Sequence, residues 1–217
     1  MRYLITGASG GIGRALVSQL APAHDVVAVS RSASSLTGPG VTPVELDLAA
    51  DPASWQLPSF DRLDGLVHCA GVVRPGRVDA QDVADWTEQL AVNVVAPALL
   101  TSRLLPALRA ARGAVVFVNS GSGQRARAGM ASYGASKFGA RALADGLREE
   151  EPSLRVTSVF PGRTATEMQR VVRAYEGGPF EPSHYLRPET VAGVIAQVLA
   201  TPPDAVVPEV VVRPRGW

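Results

Sequence analysis

Short apolar runs alternate with amphipathic helical stretches along almost the whole chain, and this alternation restricts the possible folds more than any other feature of the sequence. The apolar runs are rich in Val, Ile and Leu without polar alternation, which is typical of strands covered on both faces of a parallel sheet. The predicted strands are 3–6, 25–30, 41–46, 63–68, 114–119, 155–160 and 206–212. The predicted helices are 12–20, 82–108 (with a break possible near Pro97), 132–150 and 188–200. The pattern predicts a doubly wound α/β sheet of about seven parallel strands with helices on both faces.

Composition and charge narrow the class of protein further. The 217 residues are 46% hydrophobic and 19% charged, which predicts one folded domain spanning 1–217. Lys and Arg number 21 and Asp and Glu 20, so the balance gives no support for nucleic-acid binding. Cys69 is the single cysteine and excludes an internal disulfide. The N-terminal residues lack the apolar core of a signal peptide, and no apolar stretch is expected to approach the length of a membrane span. We therefore expect a cytoplasmic protein without membrane, nucleic-acid or metal partners.

A glycine-rich turn, Thr6–Gly13, stands between the first predicted strand and the first helix. Its Gly-x-x-x-Gly-x-Gly spacing permits a tight turn and close approach of a diphosphate to free N–H groups at the helix start. The alternative is an ordinary glycine turn, which the position between strand and helix disfavours. The turn predicts a Rossmann-like dinucleotide site. The residues expected to bind it are Gly7, Ser9, Gly10, Gly11, Ile12 and Gly13.

The end of the second predicted strand indicates which dinucleotide is bound. The strand closes on Ser30 and Arg31 and has no acidic residue for a ribose 2′-hydroxyl. A guanidinium suits a 2′-phosphate, so the sequence favours NADP(H) over NAD(H). The alternative is a solvated surface arginine.

Ser120, Tyr133 and Lys137 form a pattern suited to acid–base chemistry. Tyr133 follows Ser120 by 13 positions and precedes Lys137 by four, so the last two lie on one helix face. A nearby ammonium would favour the phenolate and lower the pKa of Tyr133, making it a usable general acid or base. A Tyr-x-x-x-Lys pair alone is commonly a surface pair. Here it follows a strand-end serine in a chain that also has a dinucleotide turn.

Together these motifs resemble the short-chain dehydrogenase/reductase family of the compact, single-domain kind, over nearly the whole length. Asp47-Leu48 resembles the family's adenine contact, and His68-Cys69 stands before Ala70-Gly71 where the family usually has Asn-Asn. The resemblance implies a further set of cofactor contacts. They are Asp47, Leu48, Ala70, Gly71, Asn93, Tyr133, Lys137, Pro161, Gly162, Thr164 and Thr166.

The resemblance also implies a role for each catalytic residue. Tyr133 would transfer a proton to or from the substrate oxygen, and Ser120 would hydrogen-bond that oxygen. Lys137 would bind the nicotinamide ribose, and Asn93 would hold a water linking Lys137 to solvent. Ser122 competes with Ser120, although its spacing fits less well. His68 is expected to be a packed histidine rather than a proton carrier, and Cys69 a small apolar filler.

The leading hypothesis is an NADP(H)-dependent oxidoreductase that interconverts a ketone or aldehyde and its alcohol. A catalytically silent NADP(H)-binding regulatory or scaffold protein is the alternative, although it would need no acid–base pair. A sugar epimerase or dehydratase would need a larger C-terminal substrate domain than the residues after Gly162 provide.

No motif in the sequence identifies the substrate, but the segment predicted to cover the site indicates its charge. Segment 163–186 is expected to form a lid, with 173–188 irregular. Apolar lid residues favour a neutral substrate over one whose anion binds Arg125, Arg127 and Arg163. The expected lid contacts are Met168, Val171, Val172 and Tyr175.

The sequence also predicts the oligomeric state. Apolar residues lie on more than one stripe of helices 82–108 and 132–150, which predicts a homodimer or homotetramer. The resemblance implies that the subunits are joined through these helices.

Overall fold

The computed structural model describes residues 1–215 and contains one seven-stranded sheet. Every pair of neighbouring strands is parallel, and the strand order is β3-β2-β1-β4-β5-β6-β7. The strands are β1 (Arg2–Thr6), β2 (Asp25–Ser30), β3 (Val41–Glu45), β4 (Gly65–His68), β5 (Ala114–Val118), β6 (Arg155–Pro161) and β7 (Glu209–Val212). The predicted doubly wound sheet is confirmed.

Six α-helices are described in residues 1–215. They are α1 (Gly11–Leu20), α2 (Val83–Leu90), α3 (Ala96–Ala111), α4 (Ala131–Glu150), α5 (Glu167–Tyr175) and α6 (Pro188–Leu199). Four strands are shorter than predicted: β3 and β5 by one residue each, and β4 and β7 by two and three. The backbone N–H of Leu63 bonds to the helix carbonyl of Ala107 rather than to a strand, so β4 begins at Gly65. β7 begins at Glu209, opposite Ser158 of β6.

Side chains on successive strand residues enter two separate cores. In β1, Tyr3 and Ile5 pack with α1 and α6, whereas Leu4 packs on the opposite face with α3 and α4. This follows from the period-2 geometry of a strand, and it explains why apolar residues follow one another in these strands instead of alternating strictly with polar ones. Both faces are covered by helices, so the polar groups able to meet a ligand are confined to the ends of the strands.

The predicted helix 82–108 is continuous and does not break near Pro97. A π-helical segment, Ala91–Val95, joins α2 to α3, and Pro97 follows this segment directly as the second residue of α3. The combined helix Val83–Ala111 is long and apolar enough, by length and composition, to cross a membrane. The prediction that no apolar stretch approaches the length of a membrane span is therefore wrong. Leu100, Leu104 and Leu108 of this helix are buried in the protein core.

Helix α5 is a helix that sequence reasoning missed. It occupies Glu167–Tyr175, so the segment predicted as irregular from Arg173 begins inside its last turn. Thr166 caps the helix by accepting a hydrogen bond from the Gln169 N–H at 3.4 Å. The Thr-x-x-Gln pattern was the available signal, but the glycines and prolines that follow it dominated the interpretation.

Candidate active site

The predicted site segments meet at one edge of the sheet. Because all the strands are parallel, their carboxyl ends share this edge. The glycine turn follows β1, Ala70-Gly71 lies just beyond β4, and Ser120 follows β5 by two residues. The strand order reverses between β1 and β4, which is where open α/β sheets form a ligand crevice.

Tyr133 and Lys137 lie side by side near the start of α4, and both are almost fully buried. Their exposed fractions are 6% and 5%. The Lys137 Nζ lies 5.8 Å from the centre of the Tyr133 ring and donates a hydrogen bond to the Val118 carbonyl at 3.1 Å. The four-residue spacing on α4 places the ammonium beneath the phenol ring. The hydrogen bond to Val118 fixes the ammonium to the end of β5.

Burial controls the titration of this pair. It raises the pKa of Tyr133 to about 12, and the Ser120 side chain opposes part of that rise. Burial also lowers the pKa of Lys137 to about 8, against a smaller opposing effect of Cys69. The expected lowering of the Tyr133 pKa by Lys137 is therefore wrong for this structure. Loss of solvent around the phenol is the largest cause of the raised pKa, and the hydrogen bond with Ser120 offsets only part of it.

Ser120 is held by Asn119, a residue that the sequence analysis missed. The Asn119 side chain accepts a hydrogen bond from the Ser120 N–H at 2.8 Å and donates one to the Lys137 carbonyl at 3.1 Å. The Ser120 Oγ accepts from the Ser122 N–H at 3.1 Å, which leaves its own proton available to a substrate oxygen. Ser120, rather than Ser122, influences the titration of the phenol. The position of Asn119 directly before Ser120 was the only signal in the sequence.

Asn93 lies in the π segment and is 3% exposed. Its side-chain nitrogen donates to the Val72 carbonyl and to the Ser136 Oγ, both at 2.9 Å, while its oxygen accepts from the Val72 N–H. The amide thus ties the loop after β4 to α4. These bonds use both amide hydrogens of Asn93 and leave its oxygen one lone pair for a further donor.

The glycine turn fits a dinucleotide diphosphate. Gly7 has a φ of +65°, and a Cβ there would lie 2.7 Å from the Ala70 backbone. A Cβ at Gly13 would clash with the Gly7 carbonyl, whereas one at Gly10 would meet nothing within 4 Å. No side chain caps α1 and no acidic residue lies in its first turn. The described chain therefore offers open space beside free N–H groups at a helix N-terminus, as a phosphate requires.

Two threonines frame this turn. The Thr6 Oγ1 accepts hydrogen bonds from the N–H groups of Cys69 and Ala70, each at 3.1 Å. The sequence analysis did not predict this structural role of Thr6. Thr166 lies over the turn, where a Cβ on Gly11 would come 2.7 Å from its methyl carbon. Thr164 is buried and donates to the Gly162 carbonyl at 3.0 Å. The Pro161–Thr166 segment is therefore brought next to the predicted diphosphate turn.

The residues predicted to meet the adenosine half lie together, away from Tyr133. Ser30 is buried at the end of β2, and its carbonyl accepts from the Leu46 N–H, which brings the Asp47-Leu48 segment alongside. The Asp47 carboxylate accepts from the Ala49 N–H at 2.9 Å. Arg31 is exposed, and no carboxylate among residues 1–215 forms an ion pair with it.

His68 and Cys69 are packed rather than catalytic in this structure. The His68 ring lies 4.8 Å from that of Phe117, and its Nε2 lies 2.8 Å from the Thr101 Oγ1. Burial lowers the pKa of His68 to about 3 and raises that of Cys69 to about 12. Both groups are therefore neutral at neutral pH. Within residues 1–215, no cluster of His, Cys, Asp or Glu has the arrangement needed to hold a metal ion.

Helix α5 contacts the site through Met168. The Met168 sulfur lies 3.9 Å from the Tyr133 hydroxyl, and a Cβ on Gly71 would lie 3.7 Å from the Met168 methyl. Arg163 forms an ion pair with Glu176 at the far end of the helix. Arg125 and Arg127 are exposed on the loop between Ser120 and Tyr133. An apolar thioether of the lid thus contacts the phenol, while Arg163 is paired with Glu176.

Comparisons with known proteins identify relatives of this chain. The family model described as short chain dehydrogenase matches residues 2–177. The chain is 29% identical to dehydrogenase/reductase SDR family member 11 of Bos taurus, over 97% of this chain and 94% of that protein. It is 34% identical to 2,3-dihydro-2,3-dihydroxybenzoate dehydrogenase of Escherichia coli (strain K12), over 77% of this chain and 71% of the relative.

A solved structure extends the likeness to the whole fold. The closed form of serine dehydrogenase complexed with NADP+ superposes with a TM-score of 0.87 at 25% identity, covering 98% of this chain and 94% of that one. The match to the family model exceeds half of the chain, and the named relatives are dehydrogenases and reductases. The chain therefore belongs to the short-chain dehydrogenase family, whose members are oxidoreductases acting on small molecules.

Proposed function

We propose that this protein is an NADP(H)-dependent oxidoreductase that interconverts a ketone or aldehyde and the corresponding alcohol, with Ser120, Tyr133, Lys137 and Asn93 as its site. One observation carries the proposal: the buried Tyr133 phenol and the buried Lys137 ammonium lie beside Ser120, at the edge of the sheet where the parallel strands end. A protein that only bound the cofactor would gain nothing from burying this acid–base pair, because burial of ionisable groups costs free energy.

Each side chain has a distinct part in the proposed reaction. In reduction, Tyr133 gives its Oη proton to the carbonyl oxygen as that oxygen gains charge, and Ser120 donates a hydrogen bond to the same oxygen. Bound NADPH supplies the hydride to the carbonyl carbon. Lys137 stabilises the phenolate that remains after the proton has left. Because the Tyr133 pKa is about 12, the phenol is protonated at neutral pH and has a proton to donate.

The preference for NADP(H) is part of the proposal and depends on Ser30 and Arg31. The solved relative named above contains NADP+. In this chain β2 ends on Ser30, and the next residue, Arg31, is an exposed guanidinium that pairs with no carboxylate of residues 1–215; a carboxylate at this position would repel a 2′-phosphate. The diphosphate of the same cofactor would bind at the free N–H groups at the N-terminus of α1.

We also propose a neutral, mainly apolar substrate. Met168 is the lid group next to the Tyr133 hydroxyl, and Val171 and Tyr175 lie on the same helix. Both Nη groups of Arg163 donate to the Glu176 carboxylate, which also pairs with Arg173, so this arginine is already engaged with a carboxylate of the protein.

A panel of ketones, aldehydes and alcohols, assayed with NADPH and NADH by nicotinamide absorbance, tests the activity. We expect turnover of apolar ketones or aldehydes. Binding of NADPH without turnover of any compound would contradict the enzyme proposal and favour the cofactor-binding alternative. Matched ketones with and without a terminal carboxylate test substrate charge. A tenfold or greater advantage for the carboxylate form, lost in Arg163→Ala, would overturn the neutral-substrate proposal.

We further propose that the protein is a homodimer or homotetramer, acts in the cytoplasm, and binds neither nucleic acid nor membrane. The near balance of 21 basic and 20 acidic residues supports the absence of a nucleic-acid partner. The burial of Leu100, Leu104 and Leu108 in the folded core supports a role of the long apolar helix in packing rather than in a bilayer.

A further inference from the structure

The segment that follows β7 reaches the loop that carries Ser120. Arg213 is the first residue after β7, and its Nη1 donates to the Phe160 carbonyl at 2.6 Å and the Val212 carbonyl at 3.1 Å. Its Nη2 donates to the Gln124 Oε1 at 2.9 Å. Phe160 is near the end of β6, and Gln124 follows the Ser120 loop. One guanidinium therefore joins two segments of the site that are distant in sequence.

Close backbone packing accompanies these bonds. A Cβ on Gly121 would lie 3.6 Å from the Arg213 Nη2, so the guanidinium stands directly beside the residue that follows Ser120. The Gly162 N–H donates to the Val212 carbonyl at 2.7 Å, and a Cβ on Gly162 would come 3.0 Å from Pro214. The segment after β7 thus contacts both the Ser120 loop and the turn that follows β6.

The bonds of Arg213 differ from those of an ordinary surface ion pair. All three of its acceptors are uncharged oxygens, and no carboxylate within residues 1–215 pairs with it. The planar fork of a guanidinium can donate in several fixed directions at once, which a lysine cannot. The geometry therefore matches a bridge between backbone segments better than charge neutralisation.

We propose that Arg213 is a positioning residue that holds the Ser120 hydroxyl at its working distance from Tyr133. The inference rests on the proposed function, because Ser120 matters here as a hydrogen-bond donor to the substrate oxygen. Asn119 fixes the loop immediately before Ser120, through the Lys137 carbonyl. The Arg213–Gln124 bond fixes the loop after it. With the second attachment lost, the loop keeps its fold but Ser120 loses its alignment.

The test compares Arg213→Ala, Gln124→Ala and the double variant with Arg215→Ala, which removes an exposed arginine of the same segment. We expect kcat of Arg213→Ala to fall about 10- to 100-fold, since small misplacement of a reacting group has effects of this order. KM should stay within about threefold, because a bond that strengthens in the transition state is the one weakened. Arg213→Lys should restore little of the loss. The double variant should be no slower than Arg213→Ala, and Arg215→Ala should match the wild type.

Deuterium exchange of the free protein over residues 120–124 provides a readout that does not depend on activity. Exchange should rise in Arg213→Ala and Gln124→Ala but not in Arg215→Ala. Unchanged exchange in Arg213→Ala, or additive effects of the two single variants on kcat, would overturn the positioning role. A wild-type protein that reduces no carbonyl would overturn the proposed function instead, and the exchange experiment would still decide whether Arg213 orders the loop.

Discussion

The Tyr133 hydroxyl is the single atom on which the proposed chemistry depends most. We expect Tyr133→Phe to lower turnover by at least about 1,000-fold, because it removes the proton donor that general acid catalysis requires. The ring that packs against Lys137 remains, so the Kd for NADPH should change by no more than about threefold. Steady-state kinetics and nicotinamide fluorescence titration measure the two effects. Tyr3→Phe, in the remote strand β1, is the control, and near-normal turnover of Tyr133→Phe would exclude the acid–base role.

Arg31 allows a separate test of cofactor choice. We expect wild-type protein to bind NADPH about 10 to 100 times more tightly than NADH, as a charge-assisted phosphate contact contributes about 1.5–3 kcal/mol. Arg31→Ala should remove most of this ratio by weakening NADPH binding alone. Titration of both cofactors checks it, with Arg77→Ala as a control because Arg77 pairs with Asp79 elsewhere on the surface. An unchanged ratio in Arg31→Ala would contradict the assignment.

At the scale of the element, the outer face of the α2–α3 and α4 helices carries exposed apolar side chains. Leu90, Val95, Leu99 and Phe138 are each between 38% and 49% exposed. A helix face of this kind normally packs against another surface. We expect a homodimer or homotetramer in light scattering, and Phe138→Glu should shift it toward the monomer. Val78→Glu, at an exposed apolar residue outside these helices, should not. A monomeric wild type at all concentrations would refute the prediction.

The same elements show what could be predicted from the sequence and what could not. The strand runs and the glycine turn were identifiable because both depend on local residue patterns, and the paired spacing of Tyr133 and Lys137 follows from helix geometry. Helix α5 was missed because its capping threonine is a weaker signal than the prolines beyond it. The titration of Tyr133 was wrong in direction because desolvation depends on the whole surrounding core, which spacing does not describe.

Contacts between distant segments were equally inaccessible. Asn119 stabilises the site through the Lys137 carbonyl, and Arg213 through the Phe160 carbonyl. Each of these bonds uses a backbone oxygen as its acceptor. Since every residue has such an oxygen, the sequence contains no residue type that would mark the partner.

At the scale of the whole molecule, the buried neutral His68 makes folding stability sensitive to acid. Its pKa is about 3 in the folded chain against about 6.5 when unfolded. Between these values the unfolded chain binds more protons, so stability is full above about pH 6.5 and is lost as pH falls toward about 3. The loss attributable to His68 should reach about 2 kcal/mol at pH 5.

Chemical denaturation of wild type and His68→Asn from pH 5 to pH 7 measures this contribution. The variant has no imidazole to protonate, so its free energy of unfolding should vary less with pH even if its overall stability is lower. His184→Asn serves as the control, since His184 is exposed. Equal pH slopes for wild type and His68→Asn would show that His68 is not the group responsible.

The π segment Ala91–Val95 places a length constraint on the molecule. In an α-helix each residue advances the direction of the side chains by about 100°, so one residue more or fewer redirects everything on one side of the change. Asn93 must point at the loop after β4 while Leu100, a few residues later, must point into the core. The number of residues between them is therefore fixed more strictly than their identities. Deletion of the half-exposed Val95 would separate the two tasks that one continuous helix performs, although Asn93 and Leu100 would both still be present in the chain.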